Sequence, residues 1–288
     1  LVCTTFEHPE HEPVLLVHGT GTYGAEQYSW NYLPWLRELG FDVCHLTYPD
    51  RGSGDQQISA EYVVHALRRI HERTGSKVDM IGHSQGASMP RWAIRWWPGV
   101  RDILDDFVQH AAPNYGTAIG YVAIGLPMPP AFFQFGPESQ FVAAMNSGDD
   151  TPGEIDFTSI YTTFDELVQP QLPNSVSTLE PGENNPRVTN IRLQDICPNN
   201  LADHVTIGLT DYATAMLTLD ALVNDGPAEV ERAGGFDLCV LPSFVDTEEL
   251  TGLPAAGADL FTSFPLDQQL VMQEPPLKAY ARDYAGAN

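Results

Sequence analysis

An α/β architecture, with a mostly parallel central sheet and helices on both faces, is what the 288-residue sequence predicts. Three observations lead there. Short β-rich runs alternate with stretches of helical period, and parallel strands joined by helical crossovers bury both patterns. The length and a 43% hydrophobic composition allow one large core, and no internal repeat, low-complexity tract or linker divides the chain. A single domain over residues 1–288 is therefore expected. Finally, residues 113–152 exchange regular periodicity for Gly, Pro and aromatic residues, as a small lid-like excursion over the top of a sheet does. That segment and residues 247–273 are expected to supply cap or pocket segments.

In chain order, residues 14–17 (Val-Leu-Leu-Val) form the first predicted strand, which runs into the glycine-rich loop His18-Gly19-Thr20-Gly21. Residues 41–48 are the second strand, 59–73 a long helix and 77–81 the third strand. Gly82-His83-Ser84-Gln85-Gly86 follows, and residues 85–97 read as a helix. G-x-S-x-G between a strand and a helix is the nucleophile elbow of the α/β-hydrolases. Its turn forces the serine to positive φ, and the positions two residues to either side must be small, as Gly82 and Gly86 are. The α/β-hydrolase fold, with Ser84 as nucleophile, is the expectation. Residues 106–111, 155–163 and 188–196 supply the remaining strands, and 205–223 the last helix.

A serine needs a base to take its proton and a carboxylate to orient that base, and in this fold the chain order is Ser, acid, His. Of nine histidines only His110 and His204 follow Ser84, and His110 lies in the very next strand. His204, in the loop after the last strand, is the expected base. The acid should leave the carboxyl end of the strand at 155–163, which selects Asp165; Glu166 then points elsewhere. Asp156 begins that strand at the wrong end, and Asp195 falls inside the last one. The oxyanion hole is assigned to Gln85, which follows the nucleophile, and to Thr20 in the first loop, where one donor contributes about 3 kcal/mol. His83 is adjacent to Ser84 and cannot be the base; it is placed at the pocket mouth. Apolar residues of the excursion, Ile124, Leu126, Phe132 and Phe133, either wall an acyl pocket or simply pack. Together with His83, the expected pocket residues are Asn114, Leu167, Ile124 and Phe132.

Two rivals come from other classes. Gly19-Thr20-Gly21-Thr22-Tyr23-Gly24 matches G-x-G-x-x-G after a strand, with Asp50 after the next one, the pattern of a nicotinamide-dependent oxidoreductase. That reading leaves the elbow, Asp165 and His204 unused. A catalytically silent binding module of the same fold is opposed by three intact triad positions.

The net charge of -24, from 38 acidic and 14 basic residues, argues against a nucleic-acid or anionic-membrane binder and suits a soluble secreted protein. No apolar run reaches the roughly 18 residues of a membrane span, and the stretch 118–135 is broken by Pro127, Pro129 and Pro130. No stable membrane insertion is expected. The chain begins at Leu1, read as a processed mature form. Cys3, Cys44, Cys197 and Cys239 lack metal-site spacing; two disulfides or buried thiols both fit. Glu7-His8-Pro9-Glu10-His11-Glu12 reads as a solvated terminus, leaving no metal or cofactor expected, and Trp92, Trp96 and Trp97 as packing behind the elbow.

Over most of its length the chain resembles the Candida antarctica lipase B-like family of α/β-hydrolase lipases. The residues that carry this are the loop from Val17 to Gly24, Gly82-His83-Ser84-Gln85-Gly86 against T-W-S-Q-G, and Ala112-Pro113-Asn114-Tyr115-Gly116-Thr117 against A-P-D-Y-K-G-T. The run from Thr163 to Gln171 is similar to T-D-E-I-V-Q-P-Q, Asp203-His204 to D-H, and the run from Glu274 to Arg282 to E-P-D-L-M-P-Y-A-R. The resemblance implies a lipase or carboxylesterase working through an acyl-enzyme, with Ser84, Asp165 and His204 as triad and Thr20 and Gln85 as oxyanion donors. It supports pairing Cys3 with Cys44 and Cys197 with Cys239, each loop of that length being worth about 4 kcal/mol in the chain-entropy description. The family's third disulfide has no counterpart, since Gln273 stands at its first cysteine. His83 replaces a tryptophan, Asn114 an aspartate, and the segment after Thr117 diverges. A monomer acting on lipid or ester substrates, including those at an oil–water interface, is expected, with a soluble-substrate esterase or an acyltransferase of the same fold as alternatives.

Overall fold

The computed structural model describes residues 1–180, 185–246 and 269–282. Seven strands form one sheet: β1 (Val2–Cys3), β2 (Val14–Val17), β3 (Val43–His45), β4 (Val78–His83), β5 (Leu104–His110), β6 (Asp156–Tyr161) and β7 (Val188–Arg192), in the order β1-β3-β2-β4-β5-β6-β7. Only β1 runs antiparallel to its neighbour; every other pairing is parallel. Alternate residues of β2 show why the sheet is covered on both faces: Leu15 and Val17 enter one apolar cluster with Met80, Trp92 and Phe107, whereas Val14 and Leu16 enter another with Ile81, Val108 and Ile160. Burial on both faces accounts for the continuous Val-Leu-Leu-Val run.

The long helix Gln56–Thr74 is started by the Asp55 side chain, which accepts from Gln57 N–H, and ended by Gly75 at φ 74°. Two expected helices are each divided. Residues 85–97 form Gln85–Ser88 and Pro90–Trp96, broken where Pro90 can begin a helix but not continue one. Residues 205–223 form His204–Leu209 and Tyr212–Val223, the second restarted by the Asp211 side chain accepting from Thr214 N–H. The strand expected over 188–196 stops at Arg192, and Leu193–Ile196 is a helical turn. Asp195 therefore lies in a helix rather than a strand, paired with Arg192.

Strand β1 was too short to carry a pattern. Its register pairs Cys3 with Cys44, and these two form one disulfide; Cys197 and Cys239 form the other. The excursion holds the short helices Ala118–Ala123, Pro130–Gln134 and Gln140–Met145. Val271 bridges Met128 of that excursion, while residues 247–268 of the second expected cap segment lie outside the described residues. Among the described residues no helix is long and apolar enough to cross a membrane.

Candidate active site

Ser84 directly follows β4 and adopts φ 57°, ψ -125°, a conformation a non-glycine residue takes only when its surroundings impose it. The imposition is visible at its neighbours. A Cβ at Gly82 would lie 2.0 Å from the Gly86 carbonyl oxygen, and one at Gly86 would lie 2.2 Å from that of Val17. Both positions exclude any side chain.

The serine hydroxyl lies 2.9 Å from His204 Nε2, and His204 Nδ1 lies 2.9 Å from Asp165 Oδ2. The carboxylate can only accept, so Nδ1 carries the proton and Nε2 is free to accept from the serine. Asp165 is itself fixed by the N–H groups of Leu167 and Val168, which donate to Oδ1 at 2.9 and 2.6 Å. Burial is the largest single influence on His204 and disfavours its charge, yet the charge and hydrogen bond of Asp165, aided by Glu166 and Asp203, outweigh it and raise the pKa above 6.5. The Glu166 carboxylate accepts from the backbone N–H of His204 at 3.0 Å.

Around Ser84 the glycine-rich loop after β2 closes in, with the Cβ position of Gly19 3.2 Å from Ser84 Cβ. Thr20 Oγ1 is buried and has no hydrogen-bond partner among the described residues. Gln85 opens the helix Gln85–Ser88, so its N–H has no acceptor within that helix. A cavity of about 20 Å³ is bordered by Thr20, His83, Ser84, His204 and Leu209.

His83 is one of the residues lining this cavity. It is buried, its ring 5.0 Å from that of His204, and Nε2 donates to the His204 carbonyl at 2.8 Å. It fits because Gly208 lacks a side chain; a Cβ there would be 2.1 Å from the imidazole. Burial, then the neighbouring His204, pull its pKa down to about 3, so it is neutral. Asn114, Leu167, Ile124 and Phe132 do not border the cavity. Asn114 is fully buried and donates to Gln109 and the Ser177 carbonyl; Leu167 is half-buried beside Asp165; Phe132 packs edge-on to Phe135; Ile124 is 72% exposed. Trp92 stacks on Phe141, as packing behind the elbow requires.

Sequence reasoning missed Gln27, which links the site's loops. Its Oε1 accepts from Gly19 N–H at 2.9 Å and its Nε2 donates to His83 Nδ1 at 3.3 Å. His110 is buried on Thr218, consistent with setting it aside as base. Among the described residues one set of possible metal-ligating groups, Asp79, Asp105 and Asp106, comes within 4.8 Å of one another. It lies at the amino ends of β4 and β5, the opposite end of the sheet from Ser84.

A mostly parallel sheet with a strand–serine–helix elbow defines the class: this is an α/β-hydrolase. Residues 11–191 match the profile of the Lipase (class 2) family, and the chain belongs to that family of ester hydrolases. It is 28% identical to Lipase B of Pseudozyma antarctica, over 95% of this chain and 80% of that one. The crystal structure of Aspergillus fumigatus lipase B is similar at TM-score 0.88 and 27% identity, covering 96% of this chain and 69% of that one. A metagenomic carboxyl esterase, 12% identical, shares the fold at TM-score 0.52 over 86% of this chain and 76% of its own. The dinucleotide reading of the Gly19–Gly24 loop gives way to this membership.

Proposed function

We propose that the chain is a serine lipase or carboxylesterase that cleaves acylglycerols and related esters through an acyl-enzyme. Ser84 Oγ attacks the ester carbonyl as His204 Nε2 takes its proton, and Asp165 stabilises the imidazolium. The oxyanion accepts from the N–H groups of Thr20 and Gln85 and from the Thr20 hydroxyl. Collapse expels the alcohol, protonated by His204; water, deprotonated by the same ring, then attacks the acyl carbonyl, and the acid leaves as Ser84 recovers its proton. The observation that carries this reading is the pair of 2.9 Å contacts joining Ser84, His204 and Asp165. The buried, unpartnered Thr20 hydroxyl supports the oxyanion assignment.

Within this reading the chain acts as a single-domain secreted monomer, in keeping with its two disulfides. Exposed apolar residues of the excursion, Ile124 at 72% and Leu126 at 52%, favour substrates presented at an oil–water interface over a strictly soluble-ester or acyl-transfer role. The test is hydrolysis of p-nitrophenyl esters of rising chain length beside emulsified triglyceride. Ser84→Ala should lower kcat by up to about a million-fold with the fold intact. Full activity in that variant would sink the assignment, and a sharp limit at short soluble esters would move it to the esterase alternative.

A further inference from the structure

The segment after β3 contains an unusual backbone run. Asp50, Arg51 and Gly52 stand in succession at φ 55°, 50° and 77°. Only glycine takes the left-handed region freely, so two adjacent non-glycine residues there persist only where contacts over-determine them.

The contacts are on the glycine-rich loop. Arg51 holds both backbone groups of Gly21: the Gly21 N–H donates to the Arg51 carbonyl at 2.6 Å, and Arg51 Nε donates to the Gly21 carbonyl at 2.8 Å. Its terminal nitrogen pairs with Glu26 at 2.7 Å, and its guanidinium lies over the Tyr23 ring at 4.1 Å. Glu26 also accepts from Tyr23 N–H. On the other side of the turn, a Cβ at Gly52 would be 2.5 Å from Gln85 Oε1 and 3.3 Å from Thr20 Cα. The turn thus abuts both residues assigned to the oxyanion hole. Thr20 is suspended between two anchors, Gly19 on Gln27 and Gly21 on Arg51.

We propose that Arg51 is a positioning residue for the oxyanion hole. It touches no reacting atom. Its left-handed conformation lets one residue present a carbonyl and a planar two-point donor to Gly21 and Glu26 together, which fixes the Thr20 N–H and hydroxyl toward the acyl oxygen. The inference rests on the oxyanion assignment above.

The experiment compares matched oxygen esters and thionoesters in the full chain. A thionoester puts the developing charge on sulfur, a poor acceptor for N–H and O–H donors, so the ratio of kcat/KM for oxygen over sulfur reads the oxyanion hole itself. The variants are Arg51→Ala, Arg51→Lys and Arg51→Gly; glycine suits the left-handed turn and keeps it folded while removing the clamp. Arg51→Gly and Arg51→Ala should lower kcat on the oxygen ester by about 10- to 100-fold, below the loss seen on deleting a donor outright. KM should stay within about twofold, and the oxygen-to-sulfur ratio should fall by the same factor as kcat. Arg51→Lys, which keeps charge but not the fork, should fall between. Folded Arg51→Gly with unchanged kcat overturns the proposal. So does an equal loss on both substrates, which marks a general brace. A wild-type ratio near one removes the oxyanion assignment itself.

Discussion

Replacing Gln27 by methionine should cost the protein a large part of its stability, although no charge and little volume change. Gln27 is buried, and its amide is used on both sides: Oε1 accepts from Gly19 N–H at 2.9 Å and from the Thr22 hydroxyl at 2.8 Å, while Nε2 donates to His83 Nδ1 at 3.3 Å. The direction of the last bond follows from chemistry. His83 is neutral and donates from Nε2 to the His204 carbonyl, so its Nδ1 offers only a lone pair. Methionine has a similar shape but none of these groups. Thr22 keeps a second acceptor, the Gly19 carbonyl at 3.3 Å, so Gly19 N–H and His83 Nδ1 are the two groups stranded. A buried group left unpaired costs about 1–3 kcal/mol. The sum, about 2–6 kcal/mol, is large beside the roughly 5–15 kcal/mol that holds a typical domain folded. Urea unfolding followed by tryptophan fluorescence measures the difference through the midpoint and slope. A variant within about 0.5 kcal/mol of the parent, the range of an ordinary surface change, would refute the two-orphan reasoning.

Two further outcomes concern pH. In the proposed mechanism His204 must be neutral to accept the Ser84 proton, and its surroundings raise its pKa above 6.5, so kcat/KM for a soluble ester should rise with pH through a midpoint above that value. Asp165→Asn removes the main charge opposing burial; the midpoint should move down while the rate falls by about 10⁴-fold, and an unmoved midpoint in a stopped-flow pH profile would contradict the assignment. At the other end of the sheet, burial and then the neighbouring Asp79 and Asp156 push Asp106 up to about 10, against 3.8 for an ordinary aspartate. The folded chain therefore keeps a proton that the unfolded chain has released across that window. The stabilisation is complete below 3.8 and declines as pH rises toward 10. Asp106→Asn should flatten the fall of Tm between pH 5 and 9; thermal melts that fall as steeply as the parent's would exclude Asp106 as its source.

Residues whose placement depends on one strand end were legible in the sequence. Ser84, Asp165 and His204 follow β4, β6 and β7 respectively, so strand order and the Ser-acid-His succession were enough to select them. The elbow was legible for a stronger reason, because its close approaches forbid any Cβ at Gly82 and Gly86. What escaped were roles set by distant partners. His83 turns inward because Gln27 and the His204 carbonyl reach it, 56 and 121 positions away, and Gly208 leaves it room; no local pattern announces any of these. The boundary errors have the same origin. Nothing in residues 188–196 signals that Gln194 will accept from Thr163 N–H and donate to the Asn200 carbonyl, bonds that accompany the turn after β7.

This division has a consequence for how the site can change. Ser84 is held by backbone against backbone: the Gly82 and Gly86 positions face carbonyl groups that cannot move away without breaking the sheet or the elbow helix. Substitution there is closed. The loop that carries Thr20 is held by side chains, Gln27 on Gly19 and Arg51 on Gly21, and His204 is steadied through its carbonyl by His83. Side chains can be exchanged in compensating sets, so that half of the site can drift while the elbow stays constant. His83 is placed in the same way: a buried neutral imidazole is accommodated there because Gln27 and the His204 carbonyl satisfy both of its nitrogens. Differences in ester selectivity among similar chains should therefore concentrate at positions that support Thr20 and His204, and not at Ser84 or its glycines.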